Sequence, residues 1–305
     1  MRKTTILTSL LVLTLIALTA NGAGELVRLV RLKLSAGDFA SAVSAVEDYK
    51  AKNGVDAEYL DAVGWLARGA EMLRRPDEAA AYVAELRREI REEKPDLVIP
   101  LGAAIEVEGK LRAAREGRGS ALRFLEEEFA RAKDVAFRSR IRKNINLLSL
   151  EGQPAPDLNK TDFIGPEPPS LAALKGKPAL LFLWAHWCGD CKAQAGVLGR
   201  VMRKYRAQGL VVIAPTRYYG TGADNKPATP AEEKAHMAKV WAEVYSGLEG
   251  VSVPIDTDTM VRYGVSATPT YALIDRKGVA RFYSPTRLSE AELSRRIEAV
   301  LSENP

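Results

Sequence analysis

Helical periodicity fills the first half of this 305-residue chain and stops at Glu151-Gly-Gln-Pro-Ala-Pro156. Helices and strands bury side chains with different periods, so a switch of period along a chain separates two kinds of core. Before the switch, amphipathic stretches rich in Ala, Leu, Glu and Arg fall around 25–35, 39–52, 57–74, 77–93, 97–116, 120–132 and 134–150. Breaks lie at Gly37, Asn53-Gly54, Pro76, Pro95 and the Gly117–Gly119 cluster. After the switch, short apolar runs predict strands at 179–185, 210–215, 251–255, 270–275 and 279–284, alternating with helices at 190–208, 230–247 and 289–302. Arg276-Lys277-Gly278 turns the last two strands into a hairpin. The expected architecture is an all-α domain over 24–150, followed by an α/β domain over 151–305 whose mixed sheet is covered on both faces.

Residues 1–23 are of another kind. Arg2 and Lys3 precede an apolar run from Ile6 to Ala20, and the small residues Gly22 and Ala23 follow. That is the pattern of a secretory signal peptide, with cleavage after Ala20 or Ala23. A retained anchor is the other reading, and both put the rest of the chain outside the cytoplasm, in the periplasm or beyond. Hydrophobic residues make up 47% and charged residues 27%, as in an ordinary soluble globular protein. The net charge of +5 is mild and its basic residues are scattered, so no nucleic-acid partner is expected.

Ala42, Ala79 and Ala121 each open an apolar helix after a turn. This recurrence resembles tetratricopeptide-type helical hairpins, although that repeat's aromatic and proline markers are mostly missing. An irregular helical bundle without a binding groove is the alternative.

The only two cysteines lie in Trp187-Cys188-Gly189-Asp190-Cys191, where a buried strand ends and a helix begins. On a first helical turn that spacing lets two sulfurs meet. Unpaired N–H groups and the helix dipole there favour an anion, and such placement lowers a thiol from about 8.5 toward about 7 or below. A disulfide closing so small a loop would constrain the unfolded chain little, so redox chemistry is favoured over a structural staple.

With these motifs in order, the second domain resembles the thioredoxin-fold, exported thiol–disulfide oxidoreductases of the TlpA/ResA type over about 150–303. Gln153-Pro-Ala-Pro-Asp157 resembles that family's opening, and Leu174-Lys-Gly-Lys-Pro178 its entry to the first central strand. Trp184-Ala-His-Trp-Cys-Gly-Asp-Cys191 resembles its active site, and Ala267-Thr268-Pro269-Thr270 its cis-proline loop. The resemblance implies Cys188 as nucleophile and Cys191 as the resolving thiol. It implies that Trp187, Thr268 and Pro269 bind substrate, and that Gly189 and Asp190 tune the pair. Protein disulfides would be the substrates, a thiol the electron donor, and no cofactor is implied. The helical domain would recruit a client or donor.

Three departures from the family pattern stand out. Phe182 occupies the position where thioredoxins bury an acid, and Gln194 the position of a glutamate often found in the TlpA/ResA group. His186 is read as a surface side chain, with proton acceptor for Cys191 as the alternative; Arg217, Tyr218 and Tyr219 are further groups near the site. The segment 216–250 is an insertion, a loop and then a helix, and it packs as an extra element or shapes substrate choice. A peroxiredoxin is disfavoured, because Ala185 and Leu181 stand where that family has a Thr or Ser and a Pro. Two further classes remain: a copper metallochaperone using Cys188 and Cys191 with His186 or His236, and an interaction protein with a vestigial redox domain. The third departure is Asp190, whose charge opposes a nearby thiolate by about 1–3 kcal/mol. This predicts a potential nearer about −270 mV than about −120 mV, and equilibration with glutathione giving a value above about −180 mV would contradict it.

Overall fold

The computed structural model describes residues 24–303, so the leader-like segment 1–23 lies outside the described residues. The first half folds into helices α1 (Glu25–Ser35), α2 (Phe39–Asn53), α3 (Ala57–Met72), α4 (Pro76–Glu89), α5 (Val98–Glu116), α6 (Arg118–Arg131) and α7 (Val135–Ser149). Their starts follow local chemistry. Asp38, Asp56 and Asp134 cap α2, α3 and α7 by accepting backbone N–H bonds from Ser41, Tyr59 and Phe137, and Pro76 sits in the first turn of α4. Helices α1, α3, α5 and α7 pack in series, with α2, α4 and α6 each filling the step between two of them. Leu66, Ile105, Leu125 and Ile141 are fully buried at the centre, each worth about 1.5–3 kcal/mol of burial. Glu106 of α5 joins this stack to its neighbours, accepting from Arg68 of α3 at 3.2 Å and Lys143 of α7 at 3.1 Å. Burial opposes its charge, but the three cations around it win and hold its carboxyl down to about 2.

The second half contains β1 (Phe163–Ile164), β2 (Ala179–Leu183), α8 (Gly189–Ala193), α9 (Ala195–Tyr205), β3 (Val211–Ile213), α10 (Pro230–Val244), β4 (Val253–Pro254), α11 (Thr257–Arg262), β5 (Thr270–Ile274), β6 (Ala280–Ser284) and α12 (Glu290–Ser302). The main sheet runs β3-β2-β5-β6, with β3 parallel to β2 and the other pairs antiparallel. Strand β2 is buried on both faces, as its continuous apolar run requires. Leu180 and Phe182 join the core under α9, α10 and α12, whereas Ala179, Leu181 and Leu183 face the core that includes Met260 of α11.

The structure differs from the sequence expectation in three places. The helix expected over 190–208 is broken at Gln194, whose N–H bonds back to the Cys191 carbonyl. Helix α11 was not anticipated, because six residues are too few to show a period; Asp256 caps it. The fourth strand shrinks to two residues, and its neighbours Ser252 and Ile255 form isolated parallel bridges to Ile213 and Thr216. No helix among the described residues is long and apolar enough to cross a membrane.

The two halves are joined by more than a tether. Residues 152–155 pair with the turn that leads into β6: the Gly152 N–H donates to the Ala280 carbonyl at 2.8 Å, and the Ala155 N–H to the Gly278 carbonyl at 2.9 Å. Helix α7 packs on α11, and the Asn146 amide donates to the Arg262 carbonyl at 3.0 Å. Gly264, at φ +62°, lets this contact close: a Cβ there would sit 2.5 Å from the Lys143 Cα and 2.8 Å from the Arg142 carbonyl carbon. Gly264→Ala therefore combines overlap at a packed contact, about 1–3 kcal/mol, with a left-handed conformation costing about 1–2 kcal/mol. The expected outcome is a clear drop in the urea midpoint, and an unchanged midpoint would show that the α7–α11 contact does not constrain the fold.

Candidate active site

Strand β2 ends at Leu183, and the chain turns through Trp184–Trp187 before α8 begins. Cys188 is the N-cap of α8, where the first backbone donors lack carbonyl partners. Its Sγ accepts the Cys191 N–H at 3.2 Å, and from the other side it lies 3.3 Å from the Thr268 carbonyl, to which it donates when protonated. Thr268 precedes Pro269 across a cis peptide bond at the entry to β5. Two ends of the sheet thus bring Cys188, Cys191, Thr268 and Pro269 together. Both cysteines are free thiols, Cys188 6% exposed and Cys191 fully buried.

The two sulfurs differ sharply in acidity. Hydrogen bonding from the Cys191 thiol, with help from Thr268 and the N–H groups of Cys191 and Asp190, outweighs burial and pushes Cys188 down to about 6. Cys191 is raised far above the ordinary thiol range, first by burial and then by its bond to Cys188 and the charge there. At neutral pH the pair is one thiolate and one thiol.

Asp190 bears on this in two ways. Its backbone N–H favours the thiolate, while its carboxylate points to Arg287 at 3.5 Å. That exposed ion pair contributes little to stability, but it gives the acidic charge a partner other than the sulfur. Cys188 consequently lies below a free thiol and above the about 3.5 of a strong oxidant. Gly189 is exposed beside it, and Trp187, 47% exposed, packs edge-on against Tyr219 with ring centroids 5.4 Å apart.

Beneath the pair the floor is aromatic. Phe182 packs against Tyr245 and Tyr271, at 5.8 and 5.5 Å between centroids. Burial raises both phenols, which stay protonated beneath the pair. Gln194 is a structural tie: its Oε1 accepts from the Tyr271 hydroxyl at 2.8 Å and from the Leu288 N–H at 3.1 Å. Of the three residues after β3, Tyr219 reaches the site, donating its hydroxyl to the Trp184 carbonyl at 3.3 Å. Tyr218 turns away and donates to Asp162 at 2.7 Å, while the Arg217 guanidinium lies 4.8 Å over the Tyr219 ring.

His186 corrects the expectation of a surface side chain: it is 1% exposed. The reason is Glu233 of the inserted helix α10, itself fully buried, whose Oε1 pairs with His186 Nε2 at 3.2 Å. The same carboxyl accepts the Tyr219 N–H at 2.7 Å and the Gly220 N–H at 2.8 Å. Gly220 has φ +76°, which lets two successive N–H groups converge on one side chain. Removing this acceptor would leave the buried His186 ring without its partner, at about 1–3 kcal/mol, and release the two loop N–H groups to solvent. Burial lowers His186, which keeps it neutral near pH 7. Among the described residues, no group of three or more His, Cys, Asp and Glu side chains is arranged to hold a metal ion. Glu233 was missed in the sequence because Thr229 and Glu232 form a capping box that accounts for an acidic first turn by itself.

The Redoxin family model matches residues 150–294. The thioredoxin-like protein YneN of Bacillus subtilis is 28% identical over 151 residues, covering 48% of this chain and 79% of that protein. The thiol–disulfide oxidoreductase ResA of Bacillus cereus is 28% identical over 127 residues, 42% of this chain and 65% of its own length, so the chain spans slightly less than two thirds of it. A crystal structure of a thioredoxin-like protein from Aeropyrum pernix is 25% identical, with a TM-score of 0.38, over 48% of this chain and 89% of that one. Residues 150–294 of this chain thus match the Redoxin family, and this half is similar to thioredoxin-like thiol–disulfide oxidoreductases of the ResA type.

Proposed function

We propose that the protein acts outside the cytoplasm, reducing or exchanging disulfides of client proteins through Cys188 and Cys191. The observation that carries this reading is the split in acidity between two neighbouring thiols, one down to about 6 and the other far up. A thiolate attacks a disulfide and a thiol does not, so the split assigns the order of events.

The Cys188 thiolate attacks one client sulfur, the client S–S bond breaks, and the second client sulfur leaves as a thiolate that takes up a proton. Cys188 is now uncharged in a mixed disulfide. The charge and the hydrogen bond that held the Cys191 proton in place are thereby lost, so its acidity rises when it is needed. Cys191 gives up its proton and attacks Cys188, releasing the first client sulfur as a thiolate. Two electrons have passed to the client, and the enzyme disulfide is returned to the dithiol by a thiol donor. Trp187, Thr268 and Pro269 are the client-binding side of this reading, with Gly189 and Asp190 as the tuning residues. An extended client chain would pair with the Thr268 backbone as an added strand. The apolar leader at 6–20 supports export, and the helical array is the recruiting surface for a client or donor.

Two experiments test it. Cys191→Ala removes the resolving thiol, so a mixed disulfide with client should accumulate on Cys188 and be seen by non-reducing electrophoresis and mass spectrometry. Capture of nothing, while Cys188→Ser leaves insulin reduction unchanged, would overturn the assignment. The second is the pH profile of alkylation. Since Cys188 is depressed, its reactivity should be full at pH 7 and fall to half near pH 6, whereas an ordinary thiol loses it near about 8.5. Cys191 should stay unmodified throughout.

A further inference from the structure

Trp187 is the one exposed large apolar side chain of the second half among the described residues, and it lies one position before Cys188. An apolar ring left in water beside a reactive sulfur is a candidate contact for whatever brings a disulfide to that sulfur. Its neighbour is the informative part. Tyr219 meets Trp187 edge-on at an interplanar angle of 86°, backed by the Arg217 guanidinium. Tyr219 belongs to no helix or strand. Its place is set by its hydroxyl on the Trp184 carbonyl and by the Glu233 carboxyl, which holds its N–H and that of Gly220. Glu233 also holds His186, the residue before Trp187, so one buried group grips both chain segments that carry the two rings.

We propose that Glu233 is a positioning residue for client binding. From the inserted helix α10 it sets Tyr219 against Trp187, making an aromatic wall across Cys188 from the Thr268–Pro269 turn. The client is an extended polypeptide with an apolar or aromatic side chain next to its disulfide: the turn takes its backbone and the wall takes that side chain. This rests on the oxidoreductase reading and adds the means by which one class of substrate is selected.

The test uses insulin, whose disulfides lie in a polypeptide, and hydroxyethyl disulfide, which has no side chain to seat. Tyr219→Ala and Glu233→Ala should each raise KM for insulin by about fivefold with kcat changed less than about twofold, the size of loss expected when one aromatic anchor is removed. Tyr219→Phe loses the bond to the Trp184 carbonyl but keeps the ring and the Glu233 hold on its N–H, and should stay closer to the unsubstituted protein than either alanine variant. If Glu233→Ala does not fold, Tyr219→Ala decides alone, because Tyr219 lies at the rim of the core. An unchanged insulin KM in the alanine variants overturns the proposal, and so does a parallel loss of rate on both disulfides. Failure of the unsubstituted protein to reduce either disulfide would instead overturn the oxidoreductase reading.

Discussion

Two cysteine side chains behave differently here because the inner thiol donates its hydrogen bond to the outer sulfur and is itself buried more deeply. Cys188 sits at the mouth of a helix, where donors converge on it, whereas Cys191 is sunk into an aromatic floor. Everything that positions the pair serves that inequality. The buried strand β2 delivers the chain to the helix start, the turn before β5 brings the Thr268 side chain that favours the outer thiolate, and Phe182, Tyr245 and Tyr271 keep water from the inner thiol. The arrangement holds no carboxylate under Cys191 at the two positions where related proteins carry one. In the proposed cycle, relief of the outer charge on forming the mixed disulfide would do part of that work.

Much of this was legible in the chain. The period switch at 151–156 divided helices from sheet, and a five-residue apolar run followed by the cysteine pair marked the strand–helix junction. Thr268-Pro269 before an apolar run marked the facing turn. These features are local: each is written in a few adjacent residues. What escaped is made of contacts distant in sequence. His186 and Glu233 are 47 positions apart, and nothing near either one advertises the other. Glu233 follows a good capping residue and looks like any solvated acid in a first helical turn. Gln194 likewise looks like a weak substitute for a missing base, until Tyr271 and Leu288 are seen to converge on it. The break in the helix at that position has the same origin.

The helical half has its own logic. Stacked hairpins bury a continuous seam, and each added helix needs the one before it. Glu106 ties three helices of the stack through Arg68 and Lys143, and Lys143 in turn lies against Gly264 of the second half. A chain of contacts therefore runs from the centre of the helical stack to the turn before β5.

The pairing of residues 152–155 with the turn into β6 carries a further consequence. In the order β3-β2-β5-β6 the last strand is the rim of the sheet, and a bare rim offers unpaired backbone groups to any passing strand. Here the segment leaving the helices covers the start of that rim, at Gly278–Ala280, and Leu150 closes over the core beside it. The connecting segment thus works as a selvedge. A redox domain cut free just beyond it would carry a raw hem, inclined to stick to its own copies before it ever met a client.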